Sequence, residues 1–333
     1  MNVNKFYQKF STCSFFLFLL LSMGLTATAQ EPKDSSLAFT APPASIPEPP
    51  PPPPALARAP DTTHVYRISY PRSLGFTAIA TAANLWATPN LIKKKKPLTD
   101  AELASLNPNI FNDMEKWALR QNVTDRDKIN VRSDHVLTIT SLSAAALLAD
   151  RKIRKDWTRI VTLYLETTSF TFSVYSFSPF GPLFHNKVRP VSYYADQPME
   201  IRKEGNSRNS LYSGHVANAA ASTFFMVKVY SDYHPELGAK KYLLYGAASL
   251  PPLLIGYLRV KALYHFPSDC LIGLIIGGVS GIVVPETHRI RNHSNLKVGL
   301  AATAAGPGLA LSWKFDKKPQ KILLNYADLA SRK

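Results

Sequence analysis

Cysteine is almost missing from this chain, with two among 333 residues. Cys13 falls inside an N-terminal stretch that reads as a removable signal, which leaves Cys270 without a partner and excludes a disulfide framework. A zinc cluster built on cysteine is excluded by the same count. Neither cysteine follows an L-x-x-C pattern suited to lipidation. Acidic residues are also scarce: 23 Asp and Glu stand against 39 Lys and Arg, a formal net charge of +16. No internal repeat is present. From about residue 66 to 285 no run alternates as strands do, so a β architecture is not expected there.

What is present begins with a signal-like segment over 1–29. Lys5 and Lys9 supply its positive start, FFLFLLL (15–21) its apolar centre, and Ala27-Thr28-Ala29 a small-residue cleavage site. An uncleaved membrane anchor is the rival reading. Residues 30–65 follow as a spacer, and APPASIPEPPPPPPALARAP (41–60) is too rich in proline to form a ladder of backbone hydrogen bonds. Export and the scatter of basic residues over several loops argue against nucleic acid as the partner. Anionic lipid surfaces or phosphate-bearing substrates suit such a charge better.

Residues 66–290 read as one helical domain. Six blocks stand out, at roughly 73–91, 134–149, 157–179, 212–230, 241–259 and 266–284, and before the second Thr99 or Asp100 is placed to cap a short amphipathic helix. The stretches YLLYGAASLPPLLIGYL and CLIGLIIGGVSGIVV are apolar all round, as lipid-facing helices are. The mean hydropathy of −0.08 is low for a chain with many spans, and Glu166 and Lys228 interrupt two blocks. Membrane integration is the expectation, with Glu166 turned inward to a partner. The rival is a soluble bundle with two buried central helices. Residues 291–333 form a tail in which LKVGLAATAAGPGLALSWKF looks strand-like, with a hairpin turning at Gly306-Pro307-Gly308.

Three loops carry polar chemistry: KVRP (187–190), YSGH (212–215) and LRVKALYHFPSD (258–269). If successive helices run antiparallel, all three lie at one end of the bundle. They would gather Arg189, Arg259, Ser213, Gly214, His215, His265 and Asp269. Two guanidiniums can grip a phosphate in fixed forks. Backbone amides of Ser213 and Gly214 at a helix start add donors, and Gly214 admits a close backbone approach. One imidazole can attack phosphorus and another can protonate the leaving oxygen. Asp269, four residues beyond His265, would share a helical face with it and fix its tautomer.

In this order and spacing, Arg189-Pro190, Ser213-Gly214-His215 and Arg259-x5-His265-x3-Asp269 resemble the type-2 phosphatidic acid phosphatase superfamily, which also holds bacterial acid phosphatases and vanadium haloperoxidases. The family pattern is K-x6-R-P, P-S-G-H and S-R-x5-H-x3-D. The resemblance spans roughly residues 70–285 and implies an all-α six-helix bundle. It further implies His265 as nucleophile, Asp269 as its orienting partner and His215 as general acid, with Arg189, Arg259, Ser213 and Gly214 holding phosphate. No metal or other cofactor is implied. Three positions depart from the pattern: Tyr212 replaces a proline, Leu258 a serine, and Pro182 the lysine of the first motif. His185, near that gap, is either a substitute cation or a solvated loop residue. The run Lys93 to Lys96 reads as solvated or in contact with headgroups.

The expected function is therefore a metal-independent phosphatase acting on a phosphomonoester or pyrophosphate of a membrane lipid, a polyprenyl pyrophosphate included, through a phosphohistidine intermediate. A weakly catalytic lipid-phosphate binding or scaffold protein of the envelope is one alternative, and a vanadate-dependent haloperoxidase another. Basic residues in DRKIRKD (150–156), GAKKY (238–242) and HRIRNH (288–293) cluster opposite the motif loops. Since such loops stay cytoplasmic, the site is expected to face the periplasm, with a soluble periplasmic protein as the alternative.

Overall fold

The computed structural model describes residues 64–290, 296–303 and 306–313. The expected signal (1–29) and all but the last two residues of the expected spacer (30–65) lie outside the described residues; His64 and Val65 are held to the bundle, His64 Nδ1 2.7 Å from Asp156 and the Val65 carbonyl accepting from Ile290 N. The longer helices are α1 (Tyr70–Lys94), α2 (Arg126–Leu142), α3 (Trp157–Phe177), α4 (Gly214–Tyr233), α5 (Lys241–Ala248), α6 (Leu250–Lys261) and α7 (Pro267–His288).

The sixfold division holds, with two differences. The second block was expected from 134, yet α2 begins at Arg126 and ends at Leu142, and 143–149 continue as a tighter 3-10 segment. The fifth block divides at Ser249, because Pro251 and Pro252 lack the N–H groups a helix interior needs and instead open α6. The short helix Asp100–Ala104 is capped by Thr99: its hydroxyl accepts from Glu102 N, and the Glu102 carboxylate accepts from Thr99 N at 2.8 Å.

Helix α4 is the axis of the bundle and is buried along most of its length. Helix α7 lies against it through Gly273, Gly277 and Gly281. A Cβ at Gly277 would sit 2.0 Å from the carbonyl oxygen of Ala217, so no larger residue permits this approach. That contact sets Asp269, near the start of α7, beside Ser213 and His215 at the start of α4. The outer face of α7 carries Leu271, Ile275, Val279 and Val283, four residues apart and all exposed. A soluble helix would hide such a stripe; a lipid-facing one displays it. The helical stretches Pro235–Lys261 and Pro267–His288 are each long and apolar enough to cross a membrane.

Helix α1 packs on α3 through a polar ladder. Tyr70 OH meets Thr158 Oγ1 at 2.9 Å, Thr81 Oγ1 meets Ser169 Oγ at 3.1 Å, and Asn84 Nδ2 donates to Ser173 Oγ at 3.0 Å.

Charge collects at the end of the bundle remote from the motif loops. Lys228 pairs with Asp232 and with Glu286 (2.6 Å), Arg289 with Asp232 (3.1 Å), and His234 with Asp150 (3.1 Å). Glu166 turns inward as expected and meets His288 Nε2 at 3.1 Å.

In the tail, Leu296–Thr303 and Gly306–Trp313 pair antiparallel, Thr303 opposite Gly306 and Ala302 opposite Pro307. Gly306, Pro307 and Gly308 thus belong to the second strand and do not form the turn. A two-stranded ribbon can hold Pro307, since each strand is an edge with one row of N–H groups that faces no partner strand.

Candidate functional site

The three motif loops meet, and the way they do so begins at the C-terminus of α6. Tyr264 N donates to Arg259 O (3.1 Å) and Leu263 N to Val260 O (2.9 Å), the paired bonds of a Schellman ending. Leu263 occupies the left-handed position at φ 61°, a conformation usually left to glycine. This costs about 1 kcal/mol or more, and Leu263 is fully buried there. The reversal lays the Tyr264 ring under the Arg259 guanidinium, whose carbon is 4.0 Å from the ring centre. Arg189 reaches the same ring at 5.0 Å. The sequence-predicted arginines thus share one aromatic platform, beside His265. Arg189 is further fixed by its Nε, which donates to Asn209 O at 3.3 Å.

His265 is 3% exposed, and its Nδ1 lies 2.6 Å from the carbonyl of Ser210. A carbonyl only accepts, so Nδ1 carries the proton and Nε2 keeps its lone pair. Burial, followed by the charges of Arg259 and Arg189, holds the ring's pKa well below its ordinary value. The imidazole is therefore neutral near pH 7, the form that attacks an electrophile.

Asp269 does not touch His265 in the expected way. The one-face argument requires both residues on one helix, but α7 starts at Pro267 and leaves His265 in the preceding loop. The carboxylate instead accepts from Ser210 Oγ (2.6 Å) and Phe266 N (2.9 Å) through Oδ2, and from Lys187 Nζ (2.7 Å) through Oδ1. It holds the segment whose carbonyl orients the ring, so its action on His265 passes through Ser210.

Of the two site histidines, His215 is the one with a carboxylate partner. Its Nε2 lies 2.9 Å from Asp134 Oδ1. Asp134 is 5% exposed and also stands 3.9 Å from Arg259. Its helix supplies two more groups at four-residue spacing: Asn130 Oδ1 accepts from Arg259 at 2.5 Å, and Arg126 sits over the Tyr264 ring at 5.2 Å. Arg126, Asn130 and Asp134 form one face of α2, and none was singled out from sequence. Their signal was an i, i+4, i+8 polar row in RDKINVRSD, which reads as loop when no apolar row is visible opposite it.

Ser213 is the N-cap of α4 and is fully buried. Its amide donates to Asp269 O at 3.1 Å and its hydroxyl oxygen lies 3.5 Å from Val216 N, so it ties α4 to α7. The amides of Gly214 and His215 precede the first α4 ladder bond, from Ala217 to Ser213 O, which leaves the first turn as the donor end. Gly214 itself has Tyr175 so near that a Cβ would stand 3.2 Å from that ring.

Besides His185, the lysine missing at Pro182 has three possible stand-ins among the basic residues nearby. Lys187 is taken by Asp269 and Ser268 (3.1 Å), with Glu115 at 3.6 Å. Lys95 turns from the end of α1 to the carbonyls of His185 and Arg208, so the expectation of a solvated lysine fails there. Its pKa falls to about 8, through burial and then the charges of Arg208 and Arg189. The His185 side chain is exposed. Arg126 is the third.

The bundle thus brings two histidines and a set of guanidiniums to one end. The model of the PAP2 superfamily matches residues 161–292, the segment that carries all three motifs. Helix α2, with Arg126, Asn130 and Asp134, precedes that segment. The chain is similar to a transmembrane PAP2 type phosphatidylglycerolphosphate phosphatase from Bacillus subtilis, known as a crystal structure, at 17% identity and a TM-score of 0.36 over 66% of this chain and 96% of that one. Among curated proteins none matches.

Proposed function

We propose that the protein is a metal-independent phosphatase that hydrolyses a phosphomonoester or pyrophosphate of a membrane lipid through a phosphohistidine. The observation that carries this reading is the arrangement around His265. A neutral ring, its Nδ1 proton held by a carbonyl, lies beside two guanidiniums that share the Tyr264 platform.

His265 Nε2 attacks phosphorus while the bond to the lipid oxygen breaks, and His215 delivers a proton to that oxygen. Arg189, Arg259 and the first-turn amides of α4 hold the equatorial oxygens as charge shifts. Water then attacks the phosphohistidine with His215 as base. The P–N bond breaks, orthophosphate leaves and His265 is neutral again. Burial, then the Arg259 charge, hold the His215 pKa down to about 4, with the Asp134 carboxylate opposing them, so the negative charge of the bound substrate has to raise it for the first step.

The lipid is supported by the exposed apolar row of α7 and by the two candidate spans, whose connecting loop holds His265. That loop lies at one end, while Arg151, Lys152, Lys240 and Arg289 gather at the other. With the basic end cytoplasmic, the site faces the periplasm. Phosphate release by the purified full chain, across lipid monophosphates and diphosphates with and without EDTA, tests the reading. Release that withstands EDTA supports it, and no release from any substrate opposes it.

A further inference from the structure

We propose that Arg126 is a third phosphate-binding guanidinium of this site and fills the role of the lysine missing at Pro182. The inference rests on the phosphatase reading and names a residue which that reading does not use. Three guanidinium carbons surround one ring, that of Tyr264, at 4.0 Å for Arg259, 5.0 Å for Arg189 and 5.2 Å for Arg126. Like charges gathered this closely, with side chains largely withdrawn from water, repel unless an anion lies among them.

Among the described residues no buried acid pairs with Arg126. Asp134 is engaged by His215 and lies 3.9 Å from Arg259. Arg126 has Asp127 at 3.3 Å, but that carboxylate is 90% exposed while the Arg126 side chain is 12% exposed. A solvated contact of this kind neutralises little. Arg126 Nε is buried and has no hydrogen-bond partner. The donor is desolvated without a compensating partner among the described residues, an arrangement that a bound oxyanion would repair.

The remaining cations are committed elsewhere, Lys187 to Asp269 and Lys95 to two carbonyls. Arg126 also arrives from a direction the motif loops do not cover, the N-terminal end of α2. The two motif arginines come from the loop after α3 and from α6. A cation from a third element encloses the phosphoryl group, which the first-motif lysine would otherwise do. The substrate class that follows is any ester whose reacting phosphoryl is a dianion, with no demand for a second phosphate.

The test uses the full chain in detergent, as wild type, Arg126→Gln and Arg126→Lys, with orthophosphate as competitive inhibitor and as stabilising ligand in thermal unfolding. Arg126→Gln should raise the orthophosphate inhibition constant roughly 10- to 100-fold, the loss of a charged hydrogen bond. It should also abolish most of the orthophosphate-induced rise in unfolding temperature, while the ligand-free midpoint stays level or climbs as repulsion is relieved. Arg126→Lys should recover part of the binding. If Gln does not fold, the Lys variant carries the test with an expected rise of about 3- to 10-fold. Wild-type turnover with an unchanged inhibition constant in Arg126→Gln overturns this assignment and leaves the phosphatase reading intact. So does a loss confined to diphosphate substrates, or a fall in the ligand-free midpoint with binding unaltered. A wild type that neither turns over nor responds to orthophosphate overturns both.

Discussion

Replacing Asp134 by Asn tests whether the carboxylate met on α2 belongs to the catalytic apparatus. The amide keeps the shape and still offers an oxygen to His215 Nε2, now 2.9 Å from Asp134 Oδ1, but it removes the negative charge. A hydrogen bond to a charged partner contributes about 1.5–3 kcal/mol net. At about 1.4 kcal/mol per factor of ten, kcat/KM for an alkyl phosphate should fall roughly 10- to 150-fold. The fall should depend on the leaving group. An alkoxide needs the proton of His215, whereas p-nitrophenolate departs without it, so the loss with p-nitrophenyl phosphate should stay within about 3-fold. Steady-state kinetics on both esters, compared as kcat/KM to isolate the steps through phosphoryl transfer, measures the contrast. Equal losses on the two esters, or no loss on either, would refute the argument that Asp134 acts through His215.

Other consequences concern stability, pH and sidedness. Asp269→Asn places a donor against Lys187 or against Phe266 N, whichever way the amide turns, in a site with no exposure. The expected cost of about 3 kcal/mol lowers the unfolding midpoint by roughly 6–12 °C, and a midpoint equal to wild type would contradict it. His265 has a folded pKa well below 6.5 because it is buried beside Arg259 and Arg189. The unfolded chain therefore binds a proton that the folded chain refuses, and stability drops as pH falls below about 6.5. His265→Gln should flatten that part of the pH–midpoint curve, and the acid limb of kcat/KM should lie below 6.5; a limb above it would refute the neutral-ring account. In a chain with Cys13 and Cys270 changed to Ser, an impermeant thiol reagent on outer-membrane-permeabilised cells should label Asn186→Cys, whose position is exposed beside the site. It should spare Lys240→Cys, and the reverse pattern would sink the outward-facing site.

The motif residues were legible because their spacing places them at helix ends, and antiparallel helices bring alternate ends together. The inward turn of Glu166 to a partner and the Thr99 cap followed from similarly local rules. The contribution of α2 was not legible, for the residues that make it useful, Arg126, Asn130 and Asp134, are the polar ones that make its first turns read as loop. The direct contact expected between Asp269 and His265 failed for another reason. Spacing of four implies one helical face only inside a helix, and Pro267 starts α7 between the two residues. The Schellman turn at Leu263 carried no glycine to announce it, and the Tyr264 platform that orders the arginines depends on that turn.

The central claim is that His265 Nε2 becomes covalently phosphorylated. Wild-type protein mixed with a lipid phosphate and quenched in base within milliseconds, where phosphohistidine survives, should show by mass spectrometry a phosphoryl group on the peptide containing His265. The adduct should be absent in His265→Ala, which should also release no phosphate. Phosphate release by His265→Ala at a wild-type rate, or an adduct on His215 in its place, would contradict the account.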